Sequence, residues 1–135
     1  MHLSVVIPAY RQEATIVQDV RNIEGAVRAL GIEYELIVVV DGFVDATYER
    51  AQAVASSRVH VLGYGQNGGK GHAVRYGMRH ATGDLVAFLD AGMDLDPSAL
   101  GRFLTIMHQT NADIVIGSKR HPESRVQYPP LRRLY

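Results

Sequence analysis

The 135-residue sequence contains no cysteine. Without thiols there is no disulfide framework, no thiolate metal site and no cysteine nucleophile, so a reducing cytoplasm is compatible with the chain. An excess of charge is missing as well: 14 basic residues face 14 acidic ones. Any attraction to an anionic partner is therefore local, and nucleic acid is not expected as a partner. No apolar run approaches the roughly 18 to 20 residues that a spanning helix needs. The N-terminal MHLSVVIPAY has no basic region before its apolar run and no small-residue cleavage pattern after it, so it reads as a strand and not as a signal peptide. What is present is ordinary: 47% apolar and 21% charged residues, at a length that suits one domain with a real core.

Five apolar runs rich in β-branched residues, at 3–7, 34–40, 58–63, 84–90 and 112–117, are bounded by Gly, Asp or Pro and predict strands. The continuous ones predict strands buried on both faces. Between them lie segments of helical period: Ala14 to Leu30, then Tyr48, Ala51 and Ala55, then Ala73 to Ala81, then Leu100, Phe103, Leu104 and Met107. Alternating strands and helices imply an α/β domain with a mostly parallel sheet covered by helices on both faces. Ligands bind such sheets outside the carboxyl ends of the strands. From about residue 120 the pattern dissolves into a Pro-containing, irregular segment.

Chemistry-bearing residues follow each strand. PAYRQEA (8–14) reads as a strand-to-helix turn, in which Pro8 stops the sheet and Glu13 complements the helix dipole. The three-glycine dinucleotide fingerprint is absent at this turn, which argues against a nicotinamide or flavin enzyme. In DGFVDAT (41–47), Asp41 suits acceptance of a ring N–H from a nucleobase or an ordinary turn with Gly42, while Asp45 suits a helix cap. In NGGKG (67–71), glycines and one lysine precede a helix, a composition that exposes backbone N–H groups to an anion or makes a flexible loop. The spacing is not that of a Walker A loop.

FLDAGMDLDP (88–97) carries three carboxylates. Asp96 before Pro97 predicts an N-cap with proline at the first helical position. Asp90, at the strand end, is the best candidate for a hard divalent cation, Mg²⁺ or Mn²⁺, and Asp94 the second. Two carboxylates suffice when waters and substrate phosphates complete the shell. Residues 117–135 hold five basic side chains, Lys119, Arg120, Arg125, Arg132 and Arg133, against one acid, Glu123. This is a solvated basic tail or an anion-binding stripe suited to phosphate or anionic lipid.

In this order and at these spacings, VVIPAYRQE, IVVVDGFVDAT, NGGKGHAVRYGM, GDLVAFLDAGMDLDP and DIVIGSKRHP resemble the family 2 glycosyltransferases of GT-A fold. The similarity is greatest to dolichyl- or polyprenyl-phosphate hexosyltransferases, and RRLY carries it to the chain's end. The resemblance implies a Rossmann-like three-layer sandwich and inverting transfer of a hexose from a nucleotide diphosphate sugar, UDP-glucose or GDP-mannose, to a polyprenyl phosphate. It implies that Pro8, Tyr10 and Glu13 line the nucleoside pocket, that Asp41 binds the base, and that Gly69 and Lys70 lie in a Gly-Lys-Gly loop beside the nucleotide. Asp90 would open an Asp-X-Asp metal motif, with Asp94 as a further ligand. Arg120, Arg132 and Arg133 would bind the donor diphosphate and the acceptor phosphate.

Two positions depart from the family pattern. Val40 replaces the first of two aspartates often found before Gly42, and Gly92 stands where the second Asp of Asp-X-Asp is usual. The expected domain is a single nucleotide-sugar-binding domain over 1–135, cut short on its acceptor side after about residue 120. Its expected place is cytoplasmic, peripheral at the inner face of the membrane. A missing acceptor half would leave apolar surface uncovered and favour a homo-oligomer. Two alternatives remain: transfer to a sugar hydroxyl, and a nucleotide-sugar-binding module without catalysis.

Overall fold

A computed structural model describes residues 1–92 and 96–117. Four strands, β1 (His2–Ala9), β2 (Glu33–Asp41), β3 (Val59–Tyr64) and β4 (Leu85–Phe88), form a sheet in the order β3-β2-β1-β4. All three pairings are parallel. The helices are α1 (Ile16–Arg28), α2 (Thr47–Ala51) with a 3-10 turn to Val54, α3 (Lys70–His80) and α4 (Ala99–Thr110). The chain divides into two units, Met1–Gly101 and Arg102–Tyr135. The first contains the whole sheet and α1 to α3.

The sheet is apolar on both faces because helices cover both. In α1, Ile16, Val20, Ile23 and Val27 recur at helical spacing and pack with Val5, Ile7, Leu36 and Val38 on one face. On the other face Ala73 of α3 packs with Val6, Ile37 and Val39. Fully burying such aliphatic side chains contributes about 1.5 to 3 kcal/mol each. Three layers result, as expected for a GT-A sandwich. Gly77 lets α3 seat closely: a Cβ there would run into Val6 and come within 3.0 Å of Val39 Cγ2. Covering both faces also explains the continuous apolar runs of β1 and β2.

Pro8 does not stop the sheet, because β1 remains paired with β2 through Ala9. Its effect is one-sided. Val6 pairs with Phe88, and the Val6 carbonyl accepts the Leu89 N–H at 3.0 Å. The next donor on that side of β1 would be residue 8, and proline has none. Pairing with β4 therefore ends there. The order of connection also reverses on the two sides of β1, which makes this the topological switch point.

The expected strand at 112–117 is not a strand. Ile114 and Ile116 are 80% and 78% exposed, and no ladder partner faces the segment among the described residues. A β-branched run has the propensity for a strand, but only pairing satisfies its backbone. The cap at Asp96 is displaced slightly: its carboxylate accepts the Ser98 N–H at 3.0 Å, and α4 begins at Ala99 after a turn. Asp45 likewise accepts the Thr47 N–H at 2.9 Å and the Thr47 hydroxyl at 2.6 Å, one residue before the formal cap of α2.

Candidate functional site

A cavity of about 460 Å³ opens at the carboxyl ends of the strands. It is lined by Pro8 and Ala9 at the end of β1 and Tyr10 just after it, Asp41 at the end of β2, and Asn67, Gly69 and Lys70 at the entry to α3. Asp90, Ala91 and Gly92 after β4 close the ring. Six of the expected residues, Pro8, Tyr10, Asp41, Gly69, Lys70 and Asp90, thus come together across four separate segments of chain.

Asp41 is 3% exposed and organises the glycine loop. Its Oδ1 accepts the Tyr64 hydroxyl at 2.7 Å and the Gly68 N–H at 2.8 Å, and its Oδ2 accepts the Gly69 N–H at 3.0 Å. Such charge-assisted bonds are stronger than neutral ones. The turn that presents Asp41 needs glycine next in sequence: Gly42 has φ +91, and a Cβ there would meet the Asn67 backbone nitrogen at 3.0 Å. Gly69, at φ +93, precedes the first residue of α3 and accepts the Ala73 N–H at 3.0 Å. Burial and then the bond to Asp41 push the Tyr64 phenol well above the usual tyrosine range.

Lys70 opens α3, and its ammonium lies 2.8 Å from Oδ1 and 2.9 Å from Oδ2 of Asp90. The same ammonium stands 5.9 Å from the centre of the Phe88 ring. The ring of Tyr10, 40% exposed, carries the Arg11 guanidinium 5.2 Å from its centre.

Glu13 does not line the cavity. Its carboxylate accepts the Ala46 N–H at 3.0 Å and its carbonyl accepts Arg50 Nη1 at 2.7 Å, so it fixes the start of α2. Asp94, Arg120, Arg132 and Arg133 lie outside the described residues. Two contributors were not singled out in the sequence. Tyr64 was hidden as one more aromatic at the end of an apolar run, although a tyrosine at the carboxyl end of a strand is a usable signal. Gln12 gives no local signal, and only the turn after β1 brings it to the cavity.

Of the two described carboxylates that line the cavity, Asp41 is engaged by Tyr64, Gly68 and Gly69, which leaves Asp90 as the candidate hard oxygen ligand for a divalent cation. No group of three His, Asp or Glu side chains converges among them. Gly92 adds none, although among the described residues a Cβ there would have only Gln12 Nε2 near it, at 3.6 Å. The donor set fits a cation that Asp90 shares with a substrate's phosphates, provided that Lys70 releases the carboxylate.

An all-parallel α/β sheet with a cavity at its switch point, lined by Asp41, Asp90, a glycine loop and Lys70, is the arrangement of an α/β domain that binds ligands at the carboxyl ends of its strands. The family model described as "Glycosyl transferase family 2" matches residues 4–134, and the chain belongs to that family. A protein of Mycobacterium tuberculosis named among the putative glycosyltransferases is 34% identical over 119 residues, covering 87% of this chain and 35% of its own. A dolichol-phosphate mannosyltransferase of Pyrococcus furiosus is 30% identical over 134 residues, covering 98% of this chain and 37% of its own. The chain thus spans about a third of the length of these relatives.

Among solved structures, glucosyl-3-phosphoglycerate synthase from M. tuberculosis, in complex with Mn²⁺, UDP and phosphoglyceric acid, is 30% identical with a TM-score of 0.63. The match covers 78% of this chain and 38% of that one. A mannosyltransferase of Pyrobaculum calidifontis, in complex with GDP-Man and Mn²⁺, is 23% identical with a TM-score of 0.64 over 78% of this chain and 32% of that one, a likeness of fold.

Proposed function

We propose that this chain is the donor-binding part of an inverting hexosyltransferase that moves a hexose from a nucleotide diphosphate sugar to a polyprenyl phosphate. The observation that carries the reading is the convergence of Asp41, Gly69, Lys70 and Asp90 on one cavity at the switch point. Asp41 and the 67–70 loop receive the nucleoside end. Lys70, the backbone N–H groups at the start of α3 and a Mg²⁺ or Mn²⁺ ion shared with Asp90 neutralise the diphosphate. A bound cation supplies Lewis-acid stabilisation of the leaving diphosphate.

The lipid phosphate is supported by likeness to the dolichol-phosphate mannosyltransferase along nearly the whole chain. It also suits the chemistry. A phosphate is already ionised near neutral pH and needs no general base, whereas a hydroxyl acceptor does. Arg120, Arg132 and Arg133 are assigned to the phosphates of donor and acceptor on the family resemblance. On this reading the working chain meets its lipid acceptor at a membrane surface. A second reading, transfer to another small acceptor, is favoured by the likeness to glucosyl-3-phosphoglycerate synthase.

A thermal-shift panel of UDP, GDP, UDP-glucose and GDP-mannose with Mg²⁺ or Mn²⁺ tests the donor assignment. A ligand that binds only the native state raises the midpoint. At least one nucleotide is expected to do so, and no response to any of them rejects the reading. Turnover with polyprenyl phosphate against phosphoglycerate, in the whole protein, separates the two acceptors.

A further inference from the structure

The ammonium of Lys70 bridges both oxygens of Asp90 inside the cavity, at 2.8 and 2.9 Å. These are the oxygens that a cation would use. We propose that Lys70 is an exchangeable counter-ion, which holds the metal position on Asp90 until a donor arrives and then passes to the donor's diphosphate. The inference rests on the donor reading above and adds an order of events: cation and nucleotide enter together.

Three features make the exchange physically reasonable. The side chains of Lys70 and Asp90 are 58% and 37% exposed, so the pair is a partly solvated ion pair of modest strength that an incoming charge can displace. Lysine also carries its charge on a flexible four-carbon stem, which allows the ammonium to move while the first turn of α3 stays in place. The position of Lys70 is favourable at both ends of the movement, because it starts the helix whose N-terminus attracts an anion and lines the same cavity.

Without nucleotide, a divalent cation at Asp90 would meet an ammonium already at contact distance. Repulsion at that range costs affinity on the order of tenfold even in the dielectric of water. With a diphosphate present, two further negative charges accept both the cation and the ammonium, and the repulsion is relieved. Lys70 thereby keeps the site from loading with metal alone.

Titration of Mn²⁺ by calorimetry and electron spin resonance, without any nucleotide, tests the exchange independently of the donor assignment. The variants are Lys70→Met, which removes the charge and keeps the stem, and Lys70→Arg, which keeps the charge. Circular dichroism verifies that each is folded. Lys70→Met is expected to bind Mn²⁺ at least about tenfold more tightly than the original protein, and Lys70→Arg no more tightly. Adding Asp90→Asn to Lys70→Met should abolish the gain. Equal or weaker Mn²⁺ binding in Lys70→Met, including no detectable binding in either protein, overturns the proposal. A gain that survives in a protein that binds neither UDP nor GDP supports the competition at Asp90 and rejects the donor reading.

Discussion

The Tyr64 hydroxyl donates a 2.7 Å hydrogen bond to Oδ1 of Asp41, joining the ends of β3 and β2 beneath the glycine loop. Asp41 in turn accepts the Gly68 and Gly69 N–H groups, so one tyrosine steadies the residue that sets the loop. Tyr64→Phe removes the bond without adding bulk. It is expected to lower stability by about 1 to 2 kcal/mol, read from the urea midpoint, and to speed amide exchange at Gly68 and Gly69. Loss of stability with unchanged exchange at both glycines would separate Tyr64 from the loop.

The same bond predicts an alkaline effect. The folded state holds the Tyr64 proton more tightly than the unfolded chain does, because burial and Asp41 both oppose ionisation. The resulting stability is fully present below the ordinary tyrosine pKa of about 10 and declines as pH rises above it. Urea midpoints of the original protein and Tyr64→Phe should therefore converge above about pH 10. Parallel curves would contradict this.

At the opposite end of the sheet, Glu35 Oε1 accepts the Ser4 hydroxyl at 2.7 Å, the Thr82 N–H at 2.8 Å and the Thr82 hydroxyl at 2.9 Å. Burial alone would push this carboxyl up. The bonds from Ser4 and Thr82, with His60 nearby, outweigh burial and hold it below the usual glutamate value. A lowered pKa gives stability that is present above the unfolded value of about 4.3 and lost as pH falls below it. Glu35→Gln should flatten the acid limb of a pH–stability curve while costing about 1 to 3 kcal/mol at pH 7. An unaltered acid limb would show that other carboxylates govern it.

Gly77→Ala tests whether close seating of α3 on the sheet is required. The added methyl collides with Val6 and approaches Val39, and overpacking of this kind costs about 1 to 3 kcal/mol. Because α3 carries Lys70 at its start, nucleotide affinity should fall with stability. A neutral effect on the thermal midpoint would mean that the helix shifts freely.

Gly92→Asp puts a carboxylate two residues after Asp90, in a place where, among the described residues, only the Gln12 amide stands near. Mn²⁺ affinity is expected to rise on the order of tenfold, since ligand charge count sets the strength of oxygen sites. No gain by calorimetry would show that the second ligand position lies elsewhere.

Much of this architecture was legible because burial on both faces writes itself as continuous β-branched runs. β1 and β2, with helices α1 and α3 on opposite faces, are where those runs and the helical spacing placed them. Asp41, Lys70 and Asp90 were legible for another reason: short polar motifs directly after strands fall at one edge of a parallel sheet. Glu13 stands apart from the residues lining the cavity, and its sequence neighbourhood says turn but not which helix the carboxylate serves; the answer is α2. Tyr64 and Gln12 reach the site through pairings and a turn that no local pattern encodes. The segment 112–117 shows the converse, a strand pattern without a ladder among the described residues.

The central claim is that the cavity around Asp41, Lys70 and Asp90 receives a nucleotide diphosphate sugar. The most direct measurement is a backbone-amide NMR titration with UDP-glucose and with GDP-mannose in the presence of Mg²⁺. At least one donor should produce saturable shifts centred on Tyr10, Gly68, Gly69, Lys70 and residues 90–92, and Lys70→Met should weaken them. Shifts confined to other surfaces, or none with either donor, would contradict the account.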